Sequence, residues 1–424
     1  MWIKPSQRVP LDPSQLIVGL YIEMDATWTE HPFLSNRFKL TNDKQIAEIR
    51  ALNMHGRLFY YPNKSDAEPP EKPAMEPEAP TQTENTEALA IAAEIERQKK
   101  EKAERLRALK DAANRADRAW EAAARVTKEA LVGMDRSPKT AGVQLKNLSE
   151  RTASEIFKGK EILLHLLGDK NGEGPHYHAL NCLTLGMLVG KEAKLNESQL
   201  SELALGLMAH DIGKARVPAH LLKSASRAKH EEAFYRDHPK YGVELATIAG
   251  VFPPLAMTVI SDHHESLDGS GWPSGKTSMG PGARIGALVN RYDRLCSPEA
   301  QGAVALTPSE ALAQLFKVEG KKFDPHLLKI LIRLLGVYPP GTIVKLSDES
   351  LALVVSPGLH SLRPVVLIYS PDLKKEDAPT MDLGKNDEIK IVESIRPSNL
   401  PEDVVAWLSP RQRLSYFYSS DRTS

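Results

Sequence analysis

Apolar and polar positions change their rhythm several times along this chain, and each change marks an element. LIVGLYIEM (16–24) is a nearly continuous apolar run that predicts a strand. NDKQIAEIRALNMHG (42–56) spaces its apolar residues as one face of a helix, with an asparagine cap in front and a glycine behind. RLFYYP (57–62) predicts a second strand, stopped by proline. Residues 1–62 are therefore expected to form a small α/β unit. From 63 to 85 the pattern vanishes: five prolines and many acids leave almost nothing to bury, which predicts a disordered linker. Residues 86–136 are expected to be one long charged helix, since 86–131 is rich in alanine, glutamate, lysine and arginine and holds no proline or glycine. Within it Leu109, Ala113, Ala116, Trp120 and Ala123 recur at spacings of four and three. Two readings of that stripe stay open: a coiled-coil seam joining a homodimer, or a helix lying on its own domain.

From 137 to 335 the apolar spacing is that of successive amphipathic helices with short breaks. After GVYPPGT (336–342) the period shortens. IVKL, LALVVS, PVVLIYS and EIKIVESI predict strands of a small β domain over 336–424, closed by a helix in PEDVVAWLSPRQRLSYFY. The expected fold is mainly α, with a small N-terminal α/β domain, a long linker helix and a small C-terminal β domain.

A length of 424 residues fits two or three domains. Lysine plus arginine (55) equals aspartate plus glutamate (55), and this balance argues against a dedicated DNA binder. No run of about 18 apolar residues exists, so no membrane span is expected. The opening MWIKPSQRVPLDPS lacks the apolar stretch of a signal peptide. Cys182 and Cys296 are the sole cysteines, too few for a disulfide framework. A reducing cytoplasm is the expected location.

Chemistry concentrates in the helical region, where eight of the 13 histidines fall between 176 and 264. His210 and Asp211 are adjacent at the end of the apolar helix LSELALGLMAHDIGK, with Lys214 one turn on. An ionised aspartate in such a half-buried place costs several kcal/mol unless a cation or strong donors meet it. An imidazole beside a carboxylate suits iron, manganese or zinc and argues against a pure calcium site. SDHHESLDGSGWP (261–273) is more specific, with His263 and His264 followed by acids, a glycine-rich turn and an aromatic–proline pair. His178 and His238 each stand at or before an amphipathic helix and, taken singly, are as compatible with structural roles.

Taken together, MAHDIGKARVPAHLL, HPKYGVELA and HHESLDGSGWP, in that order, resemble the HD-GYP family, a branch of the HD phosphohydrolases. GLYIEMDATWTEHPFLSNRFKLT resembles the domain of unknown function that often precedes HD-GYP modules. VYPPGTIVKLSDESLALVV with LRPVVLIY resembles the usual extension of the same subgroup. The resemblance implies an HD-type helical bundle over 137–335 that hydrolyses the bacterial second messenger cyclic di-GMP to a linear dinucleotide or GMP. It implies metal ligation by His178, His210, Asp211, His238, His263, His264 and the residue at Asn290, with Asp211 bridging two transition-metal ions, iron or manganese. It assigns His210, Asp211 and Lys214 to catalysis. Lys214 also falls to substrate binding, with Asp268, Gly269, Gly271, Trp272 and Pro273, the backbone amides of the 269–271 turn reaching the substrate. Diguanylate cyclases or other signalling proteins are the implied partners.

Four positions depart from that pattern. Trp272 stands where the family has tyrosine, which keeps a stacking surface but loses a hydroxyl. Asn290 replaces a ligating aspartate, and an amide oxygen brings no charge to a dication; Asp293 follows one turn later as in the family. Gly174 lies four positions ahead of His178, where an acid would support a third metal, so two ions are expected and Glu173 is displaced. Glu299 stands where a basic residue would grip a phosphate, and an acid there repels the ligand. Two functional readings follow: a working phosphodiesterase with altered pocket contacts, or a degenerate member acting as a cyclic di-GMP binding or scaffold protein.

Overall fold

The structure, a computed structural model, describes residues 8–26, 30–31, 33, 36–52, 54–72, 93–97, 100, 104, 118, 120–158, 162–166, 175–300, 302–371, 375, 378, 380–386, 389–408 and 416–420. Backbone alone is described for 162–166 and 416–420. The chain divides into two compact units, Met1–Asp111 and Ala112–Ser424.

The first unit holds a four-stranded antiparallel sheet and a helix, with further helical residues at 93–97. Its strands are β1 (Val9–Pro10), β2 (Tyr21–Met24), β3 (Arg37–Lys39) and β4 (Leu58–Tyr60), in the order β1-β4-β2-β3. The helix α1 (Asp43–Ala51) starts at Asn42, whose side chain accepts from the Gln45 amide at 3.0 Å. The long strand expected over 16–24 is shorter, because Asp12 and Pro13 start a 3-10 turn over Pro13–Gln15 and extended pairing begins only at Tyr21. Leu16, Leu20, Ile22, Met24, Ile49 and Leu58 form its core. β1 and β3 were not expected; two and three residues long, they carry too little pattern to be read.

The second unit opens with a helical stretch over 120–133. Trp120 and Ala123, two of the five stripe residues, are buried in this unit's own core, among Ala141, Leu145, Leu180 and Leu205. Leu109, Ala113 and Ala116 lie outside the described residues. Then follow α2 (Pro138–Lys158), β5 (Ile162–Leu166), α3 (Pro175–Glu192), α4 (Glu197–Ala209), α5 (Ala219–Lys223), α6 (Lys229–Arg236), α7 (His238–Ala249), α8 (Pro254–Asp262), α9 (Pro281–Cys296), α10 (Pro308–Lys317) and α11 (Pro325–Leu335). The mainly α expectation for 137–335 therefore holds, with β5 the exception. α4 has a capping box: Asn196 accepts from the Gln199 amide at 2.9 Å, and the Gln199 side chain returns the bond at 3.0 Å. α3 is buried along nearly its whole length, so it forms the centre of the bundle.

A five-stranded antiparallel sheet follows, of β6 (Ile343–Leu346), β7 (Leu351–His360), β8 (Arg363–Ile368), β9 (Thr380–Asp382) and β10 (Ile391–Ile395), in the order β10-β6-β7-β8-β9. The closing helix is shorter than its sequence pattern: α12 is Glu402–Leu408, and β11 (Tyr416–Ser420) pairs antiparallel with β5. The aromatic run YFY (416–418) favours extended backbone.

Candidate metal centre

Three helix ends set the site. α4 ends at His210, α6 ends just before His238, and α8 ends at His263. The last carbonyls of a helix have no partner within it. The histidines supply one, each with Nδ1: His210 to Leu207 O at 2.7 Å, His238 to Tyr235 O at 2.8 Å, His263 to Ile260 O at 3.0 Å. His178, on α3, gives its Nδ1 to Asp293 of α9 at 2.6 Å, and the other Asp293 oxygen accepts from Asn181 at 2.6 Å. A carbonyl or carboxylate at Nδ1 requires the proton there and leaves Nε2 a bare lone pair.

Those lone pairs face one another. His178 Nε2 and His210 Nε2 are 3.0 Å apart, and His238 Nε2 and His263 Nε2 are 3.2 Å apart. The Asp211 carboxylate lies between the two pairs. Its Oδ1 is 3.3 Å from His238 and 3.5 Å from His263, while its Oδ2 is 3.5 Å from His210 and 3.7 Å from His178. Lone pairs and a carboxylate packed this way, with no proton among them, repel one another until a cation completes the set. Two buried atoms support that reading, since Asp211 Oδ1 and His264 Nε2 have no hydrogen-bond partner. One donor atom each from Asp211, His238, His263 and His264 lies within 4.8 Å of the others, as do those of His178, Cys182 and His210. This donor set could hold a divalent metal.

Electrostatics keeps the donors in ligating form. Burial pushes His178 below the usual imidazole value, helped by the Arg294 charge, and pushes His210 well below it. Burial brings His238 down to about 4 despite Asp211, and lowers His264 well below its usual value, helped by His263 and His238. Burial opposes ionisation of Asp211, but Lys214 and His210 outweigh it and hold the carboxyl well below the usual range. Lys214 stays charged for the mirror-image reason: burial and Arg294 oppose it, and Asp211 and Glu299 prevail.

Gly213 fixes the relation between the two halves of the site. A Cβ there would stand 1.9 Å from His238 O and 2.4 Å from the Gly242 amide nitrogen. Only glycine lets the turn after Asp211 approach the start of α7 so closely, and that approach sets His238 beside Asp211. Asn290, on α9, points its amide oxygen at His178 Nε2 (3.0 Å) and donates to His263 O at 3.3 Å. Its amide oxygen therefore faces the donor cluster without bringing charge to it.

The loop after α8 is held together by its own hydrogen bonds. The Asp268 side chain is exposed and closes a turn by accepting from the Ser270 amide at 3.0 Å. The Gly269 amide donates to Ser266 O at 2.9 Å and the Trp272 amide to His264 O at 3.1 Å. The Gly269, Ser270 and Trp272 amides are thus engaged inside the loop. Gly271 is a packing residue, since a Cβ would meet the Ser266 nitrogen at 2.3 Å. The buried Glu265 ties the loop down by accepting from the Ser274 and Lys276 amides at 2.7 and 2.9 Å. Pro273 follows Trp272, whose indole stacks on His264, centroids 3.8 Å apart and planes 19° apart.

Two neighbours of the site were missed in the sequence. Arg294 donates to Asp211 Oδ2 at 2.7 Å, and Cys182 Sγ is 3.8 Å from both ring nitrogens of His178. Each stands four residues beyond a residue already singled out, Asn290 or His178, and so on the same helix face. Glu299 is not bare: Lys214 donates to it at 2.6 Å and Arg294 lies 3.3 Å away.

Residues 167–327 match the HD domain family, and residues 9–139 match a domain of unknown function, DUF3391. A cyclic di-GMP phosphodiesterase of Pseudomonas aeruginosa is 24% identical over 92% of this chain and 92% of its own length. The cyclic di-GMP phosphodiesterase response regulator RpfG of Xanthomonas campestris pv. campestris is 31% identical over 34% of this chain and 39% of its own. Among solved structures, an HDG"Y"P protein from Bdellovibrio bacteriovorus is 15% identical with a TM-score of 0.42, covering 74% of this chain and 93% of that one. Among the described residues no helix is long and apolar enough to cross a membrane.

Proposed function

Because the chain joins a DUF3391 domain to an HD domain, we propose that it is a metal-dependent phosphodiesterase of the HD-GYP type, hydrolysing cyclic di-GMP to the linear dinucleotide or GMP in second-messenger signalling. The observation that carries this reading is the inward convergence of the imidazole Nε2 atoms on the two oxygens of Asp211. The Pseudomonas relative, similar over nearly its whole length, supports the choice of substrate. His178, His210, Asp211, His238, His263, His264 and the amide oxygen of Asn290 would hold two transition-metal ions, with Asp211 between them. Bound there, such ions supply a hydroxide at neutral pH and neutralise charge on a phosphodiester.

The protein's own groups do the rest. Nδ1–H bonds to Leu207, Tyr235, Ile260 and Asp293 keep the Nε2 lone pairs aimed, and burial keeps His178, His210 and His238 neutral, so no rearrangement is needed at the moment of reaction. Lys214, buried, and Arg294, half-buried, place two positive charges beside Asp211, where a phosphate oxygen can be met by a point charge and a planar fork. The Trp272 indole supplies an aromatic wall.

The test is metal analysis of protein purified anaerobically without chelator, then incubation with cyclic di-GMP and separation of products. The expected result is about two metal ions per chain and slow turnover that rises in Asn290→Asp, because a carboxylate adds a negative ligand. A wild-type rate no greater than that of the His210→Ala/Asp211→Ala double variant, at saturating manganese and iron, refutes the enzyme reading and favours a cyclic di-GMP binding protein.

A further inference from the structure

Beside the donor cluster, four charges form a closed quartet. Lys214 Nζ lies 2.9 Å from Asp211 Oδ2 and 2.6 Å from Glu299 Oε2; Arg294 Nη2 lies 2.7 Å from the same Asp211 oxygen and 3.3 Å from the same Glu299 oxygen. Each carboxylate oxygen is shared by both cations. Two cations against two anions leave no net charge, so the quartet satisfies itself.

The four members are not equally fixed. Lys214 sits in the buried turn after Asp211, and Arg294 sits on α9. Asp211 is engaged from its other side by His238 and His263. Glu299 alone is carried by the irregular segment between α9 and α10, and its side chain is the most exposed of the four at 23%. An oxyanion approaching Lys214 and Arg294 would make the contacts that Glu299 Oε2 now makes. Asp211 is fixed in the turn that follows α4, its other oxygen facing the donor cluster; Glu299 has no such second anchor.

We propose that Glu299 is an internal competitor for the phosphate of the ligand: its carboxylate occupies the Lys214–Arg294 cation pair and must be displaced before a phosphodiester binds there. This deepens the phosphodiesterase reading and rests on it for the identity of the ligand. A tethered carboxylate is present at a high effective concentration, so it raises the concentration at which a free anion can win. Glu299 thus sets the affinity of the site for its phosphate rather than the chemistry of the metal centre. Beyond the repulsion that an acid at this position exerts on a phosphate, direct occupation of the cations is a local and charge-assisted effect.

The experiment measures binding without turnover. Full-length protein, stripped of metal with chelator, is titrated calorimetrically with cyclic di-GMP and, separately, with inorganic phosphate. In Glu299→Gln the amide keeps the shape but loses the charge, and both probes should bind about tenfold more tightly, a change of the size expected when a charge-assisted contact is exchanged for a neutral one. Adding Lys214→Met to Glu299→Gln should abolish the gain. If Glu299→Gln fails to fold, Glu299→Asp keeps the charge but is one methylene short of both cations, and should tighten binding by a smaller factor. Unchanged or weaker binding of both probes in a folded variant overturns the proposal, as does failure of every variant to bind either probe. Tighter binding without any hydrolysis by metal-loaded wild type sinks the enzyme reading alone. Hydrolysis by wild type with no tightening in Glu299→Gln sinks the present proposal alone.

Discussion

Replacing Asp293 by asparagine should cost metal affinity while leaving every proposed ligand in place. Asp293 holds two donors at once, His178 Nδ1 through one oxygen and the Asn181 amide through the other, each at 2.6 Å. Asparagine has one oxygen and one NH2. Asn181 is a donor at this contact and claims the oxygen, so the new NH2 faces His178 Nδ1. A donor cannot meet a donor, so His178 must move its proton to Nε2. That nitrogen then presents N–H, not a lone pair, toward His210 and Asn290.

The magnitude follows from what is lost. A buried hydrogen bond to a carboxylate contributes about 1.5–3 kcal/mol. At 1.4 kcal/mol per decade, removing it weakens the ligand by about 10- to 100-fold, the range found when the partner of a ligating histidine is mutated. Competition with a chromophoric chelator measures the affinity. Imidazole 15N shifts in metal-free protein read the tautomer of His178 independently. Wild-type metal affinity with the Nδ1–H tautomer retained in Asp293→Asn would refute the claim that Asp293 governs the lone pair.

Two further outcomes test other parts of the fold. Gly213→Ala should displace the start of α7, because the new methyl would overlap His238 O at 1.9 Å, and metal binding should fall by at least about tenfold; wild-type metal affinity in a folded variant would show that the close approach is dispensable. In the first unit, Glu23 accepts from Tyr61, from Arg8 at 3.1 Å and from Arg37 at 2.9 Å. Burial raises its pKa, yet Tyr61 and Arg37 more than offset this and bring it below the ordinary glutamate value. A depressed carboxyl stabilises the fold fully above the unfolded value, about 4.3, and the contribution fades as pH falls through the lower folded value. Glu23→Gln should therefore destabilise this unit at neutral pH by about 1–3 kcal/mol and flatten its acid dependence below about pH 4.3. A wild-type pH–stability curve in the variant would refute the assignment.

What could be read from the sequence is what local chemistry writes into it. His210–Asp211, His263–His264 and the glycine after Asp211 sit in short windows, use residue types that are costly to bury, and stand where apolar periodicity stops; each is a local signal. The helical character of 137–335 and the separate β region after 336 were legible for the same reason. The missing parts depend on residues distant in the chain. Arg294 meets Asp211 across 83 positions and Lys214 meets Glu299 across 85, and nothing within a window of either announces the partner. β5 was invisible because its partner, β11, lies at the far end of the chain inside what looked like a terminal helix.

The same distinction bears on Glu299. Read one position at a time, an acid in place of a base is a defect, a charge of the wrong sign facing a phosphate. Placed among its neighbours it has two cations of its own, and burial of Lys214 becomes tolerable partly because Glu299 is there. Substituting it removes a repulsion and a counter-charge together. Stability and ligand affinity are then expected to move in opposite directions: Glu299→Gln should melt earlier without ligand, and added cyclic di-GMP should recover more of the loss than it adds to wild type, because the phosphate takes over the role of the missing carboxylate. Thermal melts of the two proteins with and without the dinucleotide show whether the couplings have this sign. Equal ligand-induced shifts would mean that Glu299 and the phosphate do not share the cations.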